Sequence, residues 1–255
     1  YQGDLEKEDS TDDFMRPATM WTYESGEIGT FSDEADASWT TQVSYRDLYN
    51  AAGSAAYNNY TWYVYRNGED VDDMVGVDGS DVLDNNRTST DRWNNTGYGV
   101  LTEVYVDSTE REVVVSLVDT FVAEVTSVDD NGDGEYTVNI SYKSARPSGS
   151  ETEFITEQEI EDDSIVLVTI GQGEIQSMAV AETVEGTVDA VRNNSYVRID
   201  GTTYYYNRAY CVDDLYNSTA GLTNLDDGEA FVNPTTDNDV TIYLDAYGYA
   251  VAIEG

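Results

Sequence analysis

Between Glu135 and Tyr142 the chain alternates strictly. Tyr136, Val138, Ile140 and Tyr142 are apolar or aromatic, and Glu135, Thr137, Asn139 and Ser141 are polar. A period of two puts one set of side chains on each face of a sheet. Upstream, residues 112–128 are rich in Val and contain neither Gly nor Pro. Asp129-Asp130-Asn131-Gly132-Asp133-Gly134 separates the two stretches, and Asn-Gly and Asp-Gly supply the positive φ that a tight reversal needs. The pattern predicts one long strand, a turn and a second strand.

The same grammar extends along the chain. Residues 1–16 are acidic and aperiodic and are expected to be an N-terminal arm or linker. Residues 17–106 hold all four Trp (Trp21, Trp39, Trp62, Trp93) and predict a distinct β-rich region. Strands are expected at 20–23, 39–45, 60–66 and 100–106, with one or two helical turns at 46–52. Asn67-Gly68 reads as a turn, and 67–97 as long loops rich in Asp, Asn, Gly, Ser and Thr. Residues 107–181 begin with a hairpin signal at Asp107-Ser108-Thr109. A short helix is expected over 155–162 with Thr156 as N-cap, and strands flank Gly171-Gln172-Gly173. Residues 182–255 repeat that module. Val122–Val128, turn, Tyr136–Ile140 matches Val184–Val191, turn, Ser195–Ile199, and each copy ends in a strand–turn–strand. The expected fold is therefore all-β: tandem small antiparallel β-barrel or sandwich modules at 107–181 and 182–255, following a Trp-containing β region and laid in series. Greek-key, SH3-like and OB-like barrels all fit five or so short strands per copy.

Charge sharpens the picture. Fifty-one acidic residues face 12 basic ones, for a formal net charge of −39. Such a field repels nucleic-acid phosphates and anionic membrane, so both are excluded as partners. It attracts cations, which suits a Ca²⁺-bathed surface or a high-salt habitat. No stretch approaches the apolar length of a membrane span. The chain opens at Tyr1-Gln2-Gly3 without initiator Met or signal peptide, as a processed product or a piece of a longer protein would. The lone Cys211 forms no intrachain disulfide. With no His anywhere, His-based triads, Cys-His pairs and His-ligated zinc have no residues to draw on, and no carboxylate pair stands out; no enzyme is expected.

Three stretches carry a family resemblance. They are Asp-Thr-Phe-Val-Ala-Glu-Val-Thr-Ser-Val (119–128), with Ile-Val-Leu-Val-Thr-Ile-Gly-Gln-Gly-Glu-Ile-Gln-Ser (165–177), and Tyr-Leu-Asp-Ala-Tyr-Gly-Tyr-Ala-Val-Ala-Ile-Glu-Gly (243–255). Residues 100–255 resemble the β-rich repeat regions of Firmicutes S-layer homology-domain (SLH-type) cell-surface proteins. That family's helical wall-anchoring repeats do not occur in these residues. The resemblance implies a non-catalytic extracellular structural protein, a self-assembling subunit of a surface layer or filament. The alternative is an adhesin or glycan-binding module of a larger surface protein. The expected partners are copies of itself, as homo-oligomer or polymer, with cell-wall or glycan contact beside them.

Few motifs could carry chemistry. Asp129, Asn131 and Asp133 with the Glu135 carbonyl follow the first half of a Ca²⁺ loop, but Ile140 stands where an EF-hand needs Glu. A plain Asp/Gly hairpin turn explains the same residues. No cofactor is required, and Ca²⁺ is the ion this loop would take. Asp70, Asp72, Asp73, Asp78 and Asp81 form a second acidic cluster. Six sequons, at Asn59, Asn86, Asn94, Asn139, Asn193 and Asn217, mostly fall at expected turns and are glycosylation candidates. Trp62-Tyr63-Val64-Tyr65 and Tyr204-Tyr205-Tyr206 suit either core packing or sugar stacking.

Overall fold

The computed structural model describes residues 6–23, 26–83, 97–208, 221–226 and 232–255. The chain opens with three antiparallel strands, β1 (Glu6–Thr11), β2 (Pro17–Tyr23) and β3 (Gly26–Ser32), paired in that order. From residue 6 the expected arm is thus folded, with β1 registered on β2 from Glu6↔Thr22 to Thr11↔Pro17. The strand left no periodic trace because it is almost wholly exposed and buries no apolar face. Its turn is knotted by one carboxylate. Asp12 accepts the backbone N–H groups of Phe14 and Arg16, both at 3.0 Å, and the Arg16 Nε–H at 2.7 Å.

Next come β4 (Ala37–Trp39), α1 (Tyr45–Asn59), β5 (Thr61–Arg66), β6 (Glu69–Asp78), α2 (Gly79–Val82), β7 (Leu101–Asp107) and β8 (Glu112–Val118). They build a five-stranded sheet in the order β4-β7-β8-β5-β6, antiparallel except for β5 against β8. That parallel pair requires a crossover, which the connection from β6 through α2 to β7 helps supply. Helix α1 starts where the Asp47 carboxylate accepts the Ser44 N–H at 2.9 Å, and its regular dihedrals break at Gly53. It outruns the expected one or two turns because it covers the sheet, burying Leu48 and Ala56 against Trp62, Val64 and Val115. Trp62 is fully buried, and its indole N–H donates to the Ala56 carbonyl at 3.1 Å. The expected loops at 67–97 contain a strand instead. β6 buries Val71 and Met74 and sits at a sheet edge, where Glu69, Asp70 and Asp78 remain in water.

The boundary expected between 106 and 107 falls inside this sheet. β7 and β8 are a hairpin, so residues up to Val118 belong to the N-terminal body. The single long strand expected over 112–128 is likewise cut in two, and the break is electrostatic. Asp119, with no exposed surface, takes a bidentate contact from Arg66 (Nε–Oδ2 and Nη2–Oδ1, both 2.7 Å). It also exchanges hydrogen bonds with Asn67, Nδ2–H to Oδ2 and Asp119 N–H to Oδ1, both 2.9 Å. A charge held that way leaves the ladder, and the chain turns into the next body.

That body comprises β9 (Phe121–Gly132), β10 (Glu135–Tyr142), β11 (Glu153–Thr156), β12 (Ile165–Gly171) and β13 (Glu174–Val180), ordered β11-β10-β9-β12-β13. The last comprises β14 (Glu182–Arg192), β15 (Tyr196–Ile199), β16 (Thr202–Tyr205), β17 (Thr223–Asn224), β18 (Asp239–Leu244) and β19 (Ala250–Glu254), ordered β16-β15-β14-β18-β19-β17. Leaving aside β17, the two orders are the same. The long first strand lies between the second and the fourth, the third lies outside the second, and the fifth outside the fourth. Antiparallel pairing throughout leaves third and fifth strands parallel to each other, and the sheets curl to bring them together. In the first barrel the Glu151 N–H donates to the Gly173 carbonyl at 2.8 Å. In the second, Tyr206 bridges Ala250 in parallel and the Asn207 N–H donates to the Ala250 carbonyl at 2.8 Å. Among the barrels open to the sequence, this is the OB-type Greek-key order. The helix expected over 155–162 is absent. Thr156 ends β11, its hydroxyl accepts the Gln158 N–H at 3.0 Å, and Ile160 plugs the barrel core.

The three bodies are not laid in series. At the first junction, the Gln172 N–H donates to the Asn67 carbonyl at 2.9 Å. The two barrels share an apolar seam of Val122, Val251 and Ala252, backed by Ile165, Leu167 and Tyr243. The second barrel returns to the N-terminal body, where the Arg208 N–H donates to the Tyr98 carbonyl at 2.8 Å. Each body therefore touches the other two, which makes a closed three-lobed unit rather than an extended chain of modules.

Candidate functional site

The loop that resembled a Ca²⁺ site is the tip of the β9–β10 hairpin. Asp133 (φ 59°) and Gly134 (φ 84°) are its two central residues, both left-handed, as a type I′ turn requires. Residues 129–135 are exposed. Asn131 turns its amide onto Thr137, with Nδ2 to Oγ1 at 2.8 Å, and Asp130 accepts the Gly132 N–H at 2.8 Å. Asp133 is thus a turn residue and Asn131 is bonded to Thr137, while Asp129 and Glu135 occupy ladder positions opposite Thr137 and Gly132. Of the second acidic cluster, Asp70 and Asp78 lie eight positions apart on β6 and Asp81 on α2, while the side chains of Asp72 and Asp73 lie outside what the structure describes. Among the described residues, no three His, Cys, Asp or Glu side chains are grouped to hold a metal ion.

The sequons have different settings. Asn59 is exposed at the end of α1, where its amide donates to the Ala55 carbonyl at 3.0 Å. Asn193 is exposed in the β14–β15 turn. Asn139 lies in mid-strand between Ser127 and Glu153, not at a turn. Asn86, Asn94 and Asn217, like Trp93 and Cys211, lie outside the described residues.

Acidic charge gathers in a groove of about 440 Å³ beside the β7–β8 hairpin, lined by Asp33, Glu34, Asp36, Asp107 and Glu112. Four of these carboxylates have a structural task, and Asp33 accepts the Thr19 hydroxyl at 3.2 Å. Asp36 accepts the Val106 N–H at 2.7 Å, Asp107 those of Thr109 and Glu110 at 2.6 and 3.0 Å, and Glu112 the Tyr63 hydroxyl at 3.3 Å. Burial, reinforced by the Glu112 charge, holds the Tyr63 phenol above its usual range.

The feature the sequence did not disclose is a row of tyrosines on the second barrel. Of the Trp62–Tyr65 run, Trp62, Val64 and Tyr65 are buried. Of Tyr204-Tyr205-Tyr206, Tyr204 packs on the core and Tyr206 is buried, while Tyr205 is 43% exposed. Tyr205 pairs across the strands with Tyr196, ring centroids 5.9 Å apart and edge to face. Tyr98 approaches Tyr205 at 5.2 Å and stacks on Tyr249 at 5.4 Å. The sequence pattern could flag Tyr205 by its alternation between two inward neighbours. It could not flag Tyr98 or Tyr249, which arrive from other lobes and turns. Beside the row, the Arg208 Nη2–H donates to the Asn194 carbonyl at 3.2 Å, and Asn233 accepts the Asn194 N–H at 2.9 Å.

Behind it lies a buried polar knot. Asp245 accepts the Asn207 amide at 2.6 Å and the N–H groups of Tyr247 and Tyr249 at 2.8 and 2.9 Å. Burial nevertheless outweighs these bonds and raises the Asp245 pKa. Burial, then the Asp245 charge, raises that of Tyr249. The Tyr206 hydroxyl and Asn207 Oδ1 are buried without a hydrogen-bond partner among the described residues.

Comparison with protein-family models, with curated proteins and with solved structures found no match to this chain.

Proposed function

We propose that the protein is a non-catalytic, extracellular structural subunit that assembles with copies of itself into a cell-surface layer or filament. The observation that carries this reading is the outer edge of β3, which no other strand pairs with among the described residues. Open edges invite strand addition unless charge blunts them. β1 carries three acidic residues in six and β6 five in ten, whereas β3 (Gly-Glu-Ile-Gly-Thr-Phe-Ser) carries one in seven. β3 also bears Phe31, which at 59% exposure exceeds every other large apolar side chain described. A three-lobed body braced at every junction supplies the stiffness a lattice needs. Its negative charge keeps copies apart until salt or Ca²⁺ screens it.

The test is electron microscopy and sedimentation of the purified chain across a NaCl and CaCl₂ series. Ordered assemblies should form as cation concentration rises, and Phe31→Lys should abolish them while the circular dichroism spectrum stays unchanged. A chain that stays monomeric at high concentration with Ca²⁺ overturns the proposal.

A further inference from the structure

We propose that the tyrosine row of the second barrel binds a neutral oligosaccharide, with Tyr205 and Tyr196 as the stacking platform. The two rings project outward from paired strands β15 and β16, and Tyr98 and Tyr249 prolong the aromatic surface onto the neighbouring turn. The Tyr196 and Tyr205 centroids lie 5.9 Å apart on the outer face of the sheet, about one pyranose unit along an extended glycan. Sugar rings offer C–H faces to aromatic rings and hydroxyls to their polar rims, and tyrosine provides both surfaces. Amide and guanidinium groups of Asn233 and Arg208 border the row and suit hydroxyl recognition.

Two arguments narrow the ligand class. First, the outer face of the second and third strands in a barrel of this order is where oligonucleotides and oligosaccharides lie. Second, a formal charge of −39 opposes any polyanion, which removes nucleic acid and acidic glycans and leaves the uncharged sugars. The duplication supplies an internal control. Aligning buried Val138 and Ile140 with buried Val197 and Ile199 sets Thr137 and Ile155 where Tyr196 and Tyr205 stand. The first barrel therefore lacks the platform. The proposal is independent of assembly through β3, since Tyr196 and Tyr205 lie on another lobe.

The experiment is calorimetric titration of the full chain with maltohexaose, cellohexaose, xylohexaose, mannohexaose and chitohexaose, with a heparin hexasaccharide as the anionic arm. At least one neutral glycan should saturate a single site. Tyr205→Ala and Tyr196→Ala should each weaken it by about tenfold or more. Tyr205→Phe, which keeps the ring, should retain most of the affinity, and Ile155→Ala in the first barrel should change nothing. Both tyrosines lie at the surface, so circular dichroism should show the variants folded. The proposal falls if no neutral glycan binds at millimolar concentration, if the heparin fragment binds in preference, or if binding survives both alanine variants.

Discussion

Asp119 shows how one side chain can set a lobe boundary. It is fully buried, faces Arg66 through two 2.7 Å contacts, and locks Asn67 in a left-handed conformation (φ 53°) at the turn where the N-terminal body meets the first barrel. Attraction between buried charges offsets a large desolvation cost only while the geometry is kept, so removing one partner is the costly change. Asp119→Ala leaves the Arg66 guanidinium, 11% exposed, without its carboxylate and should cost about 3–5 kcal/mol. Asp119→Asn keeps one acceptor and should cost less. Urea denaturation of the two variants checks the order, and an alanine variant as stable as the parent would show that the pair does not hold the junction.

At the level of elements, what the sequence revealed and what it hid follow from where each residue makes its contacts. The hairpins were legible because their signals are local: Asn67-Gly68 and Asp133-Gly134 both form two-residue turns with positive φ. The barrel duplication was legible because inward positions alternate, as in Val138, Ile140 and Val197, Ile199. β1 and β6 were hidden because edge strands tolerate charge on both sides of the pattern. The break at Asp119 was hidden because its cause, Arg66, lies fifty-three positions away. The tyrosine row was hidden for the same reason, being assembled from four separate places in the chain. A matched pair of substitutions separates local from distant causes. Gly134→Ala adds a methyl group into open space and meets only the left-handed backbone penalty, about 1 kcal/mol. Gly68→Ala has the same penalty, but its methyl also overlaps the Asp13 carbonyl and the Gln172 backbone where the lobes meet. Overpacking of that kind should add about 1–3 kcal/mol. Thermal unfolding of both variants decides the matter, and equal losses would mean that the junction yields freely.

For the molecule as a whole, shape and charge pull against each other. Closing three lobes on one another brings carboxylates together that an extended arrangement would keep apart, and 51 acidic residues make that repulsion a term in stability. Raising NaCl from about 0.1 M to about 1 M shortens the screening length from about 10 Å to about 3 Å. The melting temperature at pH 7 should therefore rise steeply with salt. Acidification should erase the dependence, because the net charge vanishes near the sequence pI of about 4.1. Asp245 contributes with the same sign. Its folded pKa lies above the ordinary carboxylate value, so the native state takes up this proton first as pH falls. Its penalty grows as pH rises through the shifted value and is relieved below it. Calorimetry over a grid of salt and pH should give a large salt increment at pH 7 that shrinks toward pH 4. A melting temperature indifferent to salt at neutral pH would mean that repulsion between the lobes is already neutralised. Screening could not then be what brings copies of the chain together along β3.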